Sequence, residues 1–395
     1  MEKMITILGP TACGKTAVAT RLAALFATER EASRVSGGFP AEIISADSRQ
    51  VFRGMDIGTG KDLADYEVTI HRGGREERLH IPYHLIDIAE AGTKYSVFHF
   101  QRDFMRAYID IGSRARVPIL CGGTGLYIES VLRAYKLVEV PVNPELRQRL
   151  EGKSLEELTT LLATYKRLHN TTDVDTARRA IRAIEIEEYY RLNGLSHNSG
   201  TPAPLGTPAP LGTPAPLGTP APLGTLGTSG TPAPPGTPGT PAPLGTLEPP
   251  LIVPAGYAGG VSASSPISSL TIGLDVPRDL RRQRITARLQ RRLQEEDMTG
   301  EVRCLLDHGV PAEVLISYGL EYRYITLHLL GQLSFEEMAR QLEIAIHQFA
   351  KRQMTYFRGM ERRGVSIHWI DATRPPEDIT DEIFQLFLAS FEENL

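Results

Sequence analysis

Apolar positions along the chain follow two rhythms. Short unbroken runs suit strands buried on both faces: Met4-Ile5-Thr6-Ile7-Leu8, Glu42-Ile43-Ile44-Ser45, Val117-Pro118-Ile119-Leu120-Cys121 and Leu270-Thr271-Ile272-Gly273-Leu274-Asp275-Val276. Ile81 to Asp87 and Ser366 to Asp371 add two shorter strand patterns. Elsewhere apolar residues recur every three or four positions and predict helices. Examples are Ala17 to Leu25, residues 97–112 with Phe100, Phe104 and Tyr108 on one face, and the stripe Ile285, Leu289, Leu293. Residues 141–195 read as helical with mixed charge, and residues 376–395 as a terminal amphipathic helix. Strand runs separated by helical stretches predict an α/β fold, a parallel sheet flanked by helices.

The rhythm stops between Leu192 and Leu247, where there is no Asp, Glu, Lys or Arg. Thr-Pro-Ala-Pro-Leu-Gly occurs four times in tandem over 201–224 and again at 240–245, with a near copy at 231–236. Proline removes donors and glycine loosens the chain, so this tract builds neither core nor sheet. One glycine per six residues also excludes a collagen register. It predicts a disordered insertion over 198–268, with a Pro-rich docking ligand as the alternative. The expected organisation is a core over 1–140, a helical insert domain over 141–197, the insertion, and the rest of the core with basic helices over 269–395.

The first strand delivers the chemistry. Gly9-Pro10-Thr11-Ala12-Cys13-Gly14-Lys15-Thr16 fits G-x-x-x-x-G-K-[ST] between a strand and a helix, the setting this phosphate-binding motif requires. Curled amides, a helix N-terminus and Lys15 favour a diphosphate or triphosphate, so the loop is nucleotide-binding (ATP-binding) in type. The Thr16 hydroxyl suits Mg²⁺ bridging phosphate oxygens. The next strand ends in Asp47-Ser48-Arg49-Gln50, and ligands of open parallel sheets sit at such strand ends. Asp47 there reads as a Mg²⁺ partner through water, a general base, or simply a helix cap. Gly54 to Lys61 brings a second lysine near the site; His84 reads as a structural histidine rather than a proton donor. Gly122-Gly123-Thr124 allows close backbone approach, with Thr124 a candidate hydroxyl for the phosphates. Arg284 and Arg288, at the edge of the buried stripe, can reach over a ligand. Gly319 to Tyr324 and Ala350 to Arg358 interleave aromatics with cations, which suits RNA or a stabilised helix surface.

Composition narrows the partners. The chain has 395 residues with net charge −4, so nucleic acid would have to be met by local basic patches. Cys13, Cys121 and Cys304 have no metal-type spacing and predict reduced thiols in a cytoplasmic protein. No signal peptide or membrane span is expected.

Several blocks in order carry a resemblance. The phosphate loop, Asp47-Ser48-Arg49-Gln50-Val51-Phe52, Met55-Asp56-Ile57-Gly58-Thr59, His84-Leu85-Ile86-Asp87, Gly122 to Tyr127, Arg182-Ala183-Ile184-Glu185 and Ala350-Lys351-Arg352-Gln353 together resemble the tRNA dimethylallyltransferases, or tRNA isopentenyltransferases. The resemblance spans residues 4–195 and 270–371. It implies a P-loop NTPase-like, kinase-like fold that moves a dimethylallyl group from dimethylallyl diphosphate to N6 of the adenosine 3′ of the anticodon. Asp47 would then be the general base. Gly9 to Thr16 would hold the diphosphate with Mg²⁺, Thr16 facing the metal, and Thr124 and Arg284 would complete that grip. Asp47, Ser48, Arg49, Gln50, Arg147, the cluster Arg178-Arg179-Ala180-Ile181-Arg182, and Arg323 would contact the tRNA anticodon loop. The enzyme is expected to be a monomer without membrane partners.

Three positions depart from the family pattern: Tyr356 for Trp, Tyr83 for His, and Glu321 for glycine. No zinc finger follows residue 371, so the longer eukaryotic form is not expected. The rivals are an ATP-dependent kinase or NTPase, a free-nucleotide isopentenyltransferase, and a non-enzymatic RNA-binding protein. ATP use separates the first. The basic and aromatic segments at 178–182 and 350–358 favour a larger acceptor than the second takes. The third would not need Asp47, Lys15 and Thr16 together.

Overall fold

The computed structural model describes residues 4–28, 41–72, 75–166, 168, 174–194 and 267–392. The repeat tract and nearly all of the expected 198–268 insertion lie outside the described residues, as do residues 29–40 and Gly73-Gly74.

Strand β1 (Met4–Leu8) leads through the phosphate loop into helix α1 (Lys15–Thr28), and β2 (Ala41–Ser45) follows. A short 3₁₀ turn (Leu63–Tyr66) precedes a hairpin of β3 (Glu67–Arg72) and β4 (Arg75–His80), then the two-residue β5 (Tyr83–His84). Next come α2 (Val97–Ser113), β6 (Val117–Gly122) and α3 (Gly125–Leu132). Three helices follow: α4 (Pro144–Leu150), α5 (Leu155–Tyr165) and α6 (Ala177–Leu192). After the repeats, β7 (Ser269–Asp275) leads into α7 (Arg278–Gln294), α8 (Met298–Asp307), α9 (Ala312–Tyr318), α10 (Leu320–Leu329) and the 28-residue α11 (Phe335–Arg362). Strand β8 (His368–Asp371) and α12 (Pro376–Glu392) complete the described chain.

The main sheet has the order β5-β2-β6-β1-β7-β8, and all its pairings are parallel. Its four central strands are largely apolar runs because both faces are covered. Ile5, Ile7, Ile43, Ile119 and Cys121 pack with Val18, Leu22 and Phe26 of α1 and Ile383 and Phe387 of α12. On the opposite face, Met4, Leu8, Ile44 and Leu120 pack with Phe100 and Phe104 of α2, Ile128 of α3 and Phe357 of α11. A third apolar cluster joins α7 to α11 and holds Val51, Phe52 and Met55 from the loop after β2. Helices α4 to α6 share a small cluster of their own around Leu146, Leu158, Leu162 and Ile184.

The hairpin falls in a mostly polar stretch, residues 62–80, whose composition gives little strand signal. Its strands alternate, with Val68, Ile70 and Leu79 packed toward the sheet core while most β4 residues are exposed. His84 does have a structural partner: its Nε2 meets Oε2 of the buried Glu42 at 2.7 Å, and Arg114 and Arg116 close on the same carboxylate.

Candidate active site

The site lies where β1, β2 and β6 end. In the phosphate loop Ala12 (φ 63°) and Gly14 (φ 85°) adopt left-handed backbone, which curls the chain before α1 begins at Lys15. For Gly14 this is cheap; for Ala12 it costs roughly 1–2 kcal/mol. The first turn of α1 carries no acidic residue, so its free amides and partial positive charge remain available to an anion. Lys15 Nζ folds back to donate to the Pro10 carbonyl at 2.9 Å.

The Asp47 turn is held by its own side chains. Asp47 Oδ1 accepts the Arg49 amide at 2.9 Å, and Ser45 Oγ accepts the Asp47 amide at 3.3 Å. Ser45 Oγ also donates to Gln50 Oε1 (2.8 Å), and Gln50 Nε2 donates to the Gly60 carbonyl (3.0 Å). Thr124 joins this turn to the end of β6: its amide donates to the Ala46 carbonyl at 3.1 Å and its Oγ1 accepts the Ser48 amide at 3.0 Å. A Cβ on Gly122 would collide with the Ala46 backbone, so only glycine permits this approach. Asp47, Ser48 and Thr124 are thus brought together beside the phosphate loop.

The arginine that reaches the loop is Arg288, whose guanidinium donates to Thr11 Oγ1. Arg284, half-buried one turn earlier on α7, is the residue the family resemblance pointed to. Burial pushes the Arg288 guanidinium down to about 10, and neighbouring Arg292 adds to the effect. Burial likewise lowers Arg49, which lies 6.0 Å from the Tyr318 ring centroid. Glu321 faces the same group of charges. Burial raises its carboxyl and Asp47 pushes the same way, against the pull of Arg292 and Arg288. The family departure at 321 therefore places a second carboxyl at the site.

Two further residues organise the site without having stood out in the sequence. Glu301 of α8 accepts the amides of Asp56 and Ile57 (2.7 Å each) and Gly58 (3.1 Å), and the Tyr322 hydroxyl at 2.6 Å. It pins the glycine-rich segment after β2 to the helical side. Gln353 of α11 accepts the Thr11 amide at 2.8 Å and donates to the Gly123 carbonyl at 2.9 Å. The only signal for either was Gln353's place in the Ala350 to Gln353 block. Lys61, by contrast, is buried in a structural cluster with Asp56, Asp87 and the Phe52 carbonyl, away from any ligand role. Tyr356 lays its ring on Gly125 and donates to Glu129 at 2.7 Å, so it packs rather than offers a stacking face.

The arginines expected at RNA fall into distinct settings. Arg147 of α4 forms a two-pronged pair with the buried Glu185 (3.0 and 2.9 Å), and Arg182 closes on the same carboxylate and on the Val140 carbonyl. Burial pushes the Glu185 carboxyl up, but hydrogen bonds from Arg147, the Asn143 amide and Arg182 outweigh it and hold it low. Arg179 pairs with Asp175 at 2.6 Å, Arg178 is exposed, Ala180 is buried and Ile181 is half-buried. Arg323 is half-buried, its guanidinium 5.9 Å from the Tyr324 ring. Lys351 and Arg352 are exposed on α11 beside the buried Gln353.

A parallel α/β sheet with an anion-binding loop after β1 and a carboxylate after β2 defines a P-loop-type protein. The family model described as IPP transferase matches residues 50–207 and 255–360. The chain is 51% identical over 376 residues to tRNA dimethylallyltransferase 1 of Parabacteroides distasonis, covering 95% of this chain and 94% of that one. It is 48% identical to tRNA dimethylallyltransferase 2 of Phocaeicola vulgatus, covering 98% of each. Among solved structures, the full-length tRNA isopentenylpyrophosphate transferase of Bacillus halodurans matches with a TM-score of 0.56 and 25% identity, over 100% of this chain and 98% of that one. The chain belongs to the IPP transferase family.

Proposed function

We propose that the protein transfers the dimethylallyl group of dimethylallyl diphosphate to N6 of the adenosine 3′ of the anticodon in tRNA, releasing diphosphate. The observation that carries this is the junction of the anion loop with the Asp47 turn through Thr124. It supports a reading in which the Asp47 carboxylate serves as a base next to a diphosphate held by the loop. The C–N bond forms as the allylic C–O bond breaks, its electrons passing to the diphosphate. With Oδ1 accepting the Arg49 amide, the second oxygen of Asp47 takes the amine proton. Loop amides, Lys15, Arg288 with Arg284 behind it, and the Thr124 hydroxyl meet the charge that develops on the leaving group.

Mg²⁺ fits this site in one way. Among the described residues no cluster of His, Cys, Asp or Glu could hold a metal by itself. Mg²⁺ beside phosphates typically takes one or two protein oxygens and completes its shell with phosphate and water. Thr16, at the start of α1, supplies such an oxygen. Bound there, Mg²⁺ would neutralise charge on the diphosphate.

For the acceptor, the Asp47 to Gln50 turn, Arg323 and exposed Arg178 contact the anticodon loop. Arg147 ties α4 to α6 through Glu185, and Arg182 supports the same carboxylate from within α6 while holding the Val140 carbonyl. No helix among the described residues is long and apolar enough to cross a membrane. We place the enzyme in the cytoplasm as a monomer. Incubation with labelled dimethylallyl diphosphate and unmodified tRNA, beside AMP and ATP controls, should label tRNA without consuming ATP. Label entering AMP with tRNA inert, or phosphate transfer from ATP, would overturn the proposal.

A further inference from the structure

Strands β1 and β2 are not neighbours; β6 lies between them. The loops at their ends are therefore two strand spacings apart, roughly 10 Å. The anion loop and the Asp47 turn reach each other through the end of β6. Thr124 makes one half of that connection, to Ala46 and Ser48. On the other side the β1–β6 ladder runs out at the pair Leu8 and Gly122, before the anion loop begins.

Gln353 supplies the missing half. Its Oε1 accepts the Thr11 amide at 2.8 Å and its Nε2 donates to the Gly123 carbonyl at 2.9 Å. Its orientation is fixed, because a flipped amide would set donor against donor and acceptor against acceptor. The fit is close: a Cβ on Gly123 would lie 2.6 Å from Nε2. The side chain is buried, in contrast to Lys351 and Arg352 just before it. A continuous path then runs by hydrogen bonds from Thr11 through Gln353 to Gly123, along the backbone to Thr124, and by hydrogen bonds again to the turn that carries Asp47.

We propose that Gln353 is a positioning residue for the transfer, setting the separation between the anion loop and the general base. The inference rests on the transfer reaction proposed above. Both amide atoms of Gln353 are engaged by the backbone and the side chain brings no charge to the loop, so its loss should move kcat rather than donor binding. Misplacing reacting groups by about 1 Å costs up to about 100-fold in rate.

Q353M keeps the volume of the side chain and removes both hydrogen bonds. Its kcat should fall about 10- to 100-fold while the KM for dimethylallyl diphosphate stays within about threefold, and hydrogen exchange at the Thr11 amide should quicken. Q353E retains the acceptor for Thr11 but sets a carboxylate against the Gly123 carbonyl. It should keep Thr11 protected and still lose kcat, and it carries the test if Q353M does not fold. A purely structural glutamine predicts a lower Tm with kcat per folded molecule within about twofold of wild type, which would overturn the inference. So would unchanged Thr11 exchange in folded Q353M. A wild-type chain that alkylates no RNA would instead bring down the transfer reading itself, a result distinct from wild-type turnover matched by Q353M.

Discussion

In the proposed reaction, Asp47, Thr124 and Arg288 divide the labour of the site by what each side chain can offer. Asp47 is a carboxylate held by a neighbouring amide, so Asp47→Asn keeps shape and hydrogen bonding while removing the proposed base. Turnover should drop about 10²–10⁴-fold with donor affinity nearly unchanged, measured by single-turnover kinetics beside diphosphate titration. Arg288→Ala should do the reverse first. It removes a charge-assisted contact worth about 1.5–3 kcal/mol, so inorganic diphosphate should bind about 10- to 100-fold more weakly by calorimetry. Undiminished affinity would place the diphosphate elsewhere. Asp47 and Thr124 were legible in the sequence because each directly follows an apolar strand run, and parallel sheets put such residues together. Arg288 and Arg284 were not separable, since both lie at the edge of one stripe. Which of them reaches the loop depends on how α7 is rotated against the sheet, and that is a tertiary property. Gln353 was hidden among cations and aromatics that read as an RNA surface, and only packing turns it inward.

At the level of elements, the same arginine-rich composition serves two purposes. Arg147 ties α4 to α6 through Glu185 and Arg182 braces that carboxylate from within α6, whereas Arg178 is exposed. Arg178→Ala should weaken tRNA binding and reduce its salt slope by about one, the signature of one lost phosphate contact, with Tm unchanged. Arg147→Ala should instead lower stability by an amount on the order of 1–3 kcal/mol, because a buried carboxylate loses its paired donor. Equal losses of tRNA affinity with equal Tm would contradict that division. Sequence spacing put these residues on helices correctly, but a charge run does not reveal which of its members meets a buried acid. The β3–β4 hairpin was missed for a related reason: its exposed charged positions outnumber Val68, Ile70 and Leu79, so the alternation is faint.

Glu42 links an element to the behaviour of the folded core. Burial raises its carboxyl, but hydrogen bonds from Arg114, His84 and Arg116 outweigh that and bring it from 4.5 down to about 2. A depressed folded value stabilises the fold fully above the unfolded value and is lost as pH falls toward the folded one. Stability should therefore decline between about pH 4.5 and 2 through this group, and Glu42→Gln should lower Tm at neutral pH while flattening the acid decline. Parallel acid profiles in thermal melts of the two proteins would contradict the role given to Glu42.

For the molecule as a whole, the strand runs, the order of the blocks and the anion loop made the parallel α/β architecture legible from sequence. How a helical half built on α7 to α11 reaches back to complete the site was not, because the contacts of Arg288, Glu301 and Gln353 span most of the chain length. The proposed reaction is alkylation of an anticodon-loop adenosine by this assembled site. Its most direct measurement is mass spectrometry of nuclease fragments from unmodified tRNA treated with dimethylallyl diphosphate and either the wild-type or the Asp47→Asn protein. A gain of C₅H₈ is expected on the fragment carrying the adenosine 3′ of the anticodon with wild type, and little gain with the variant. The gain on another nucleotide, equal gain with both proteins, or no gain while free AMP is alkylated would contradict it.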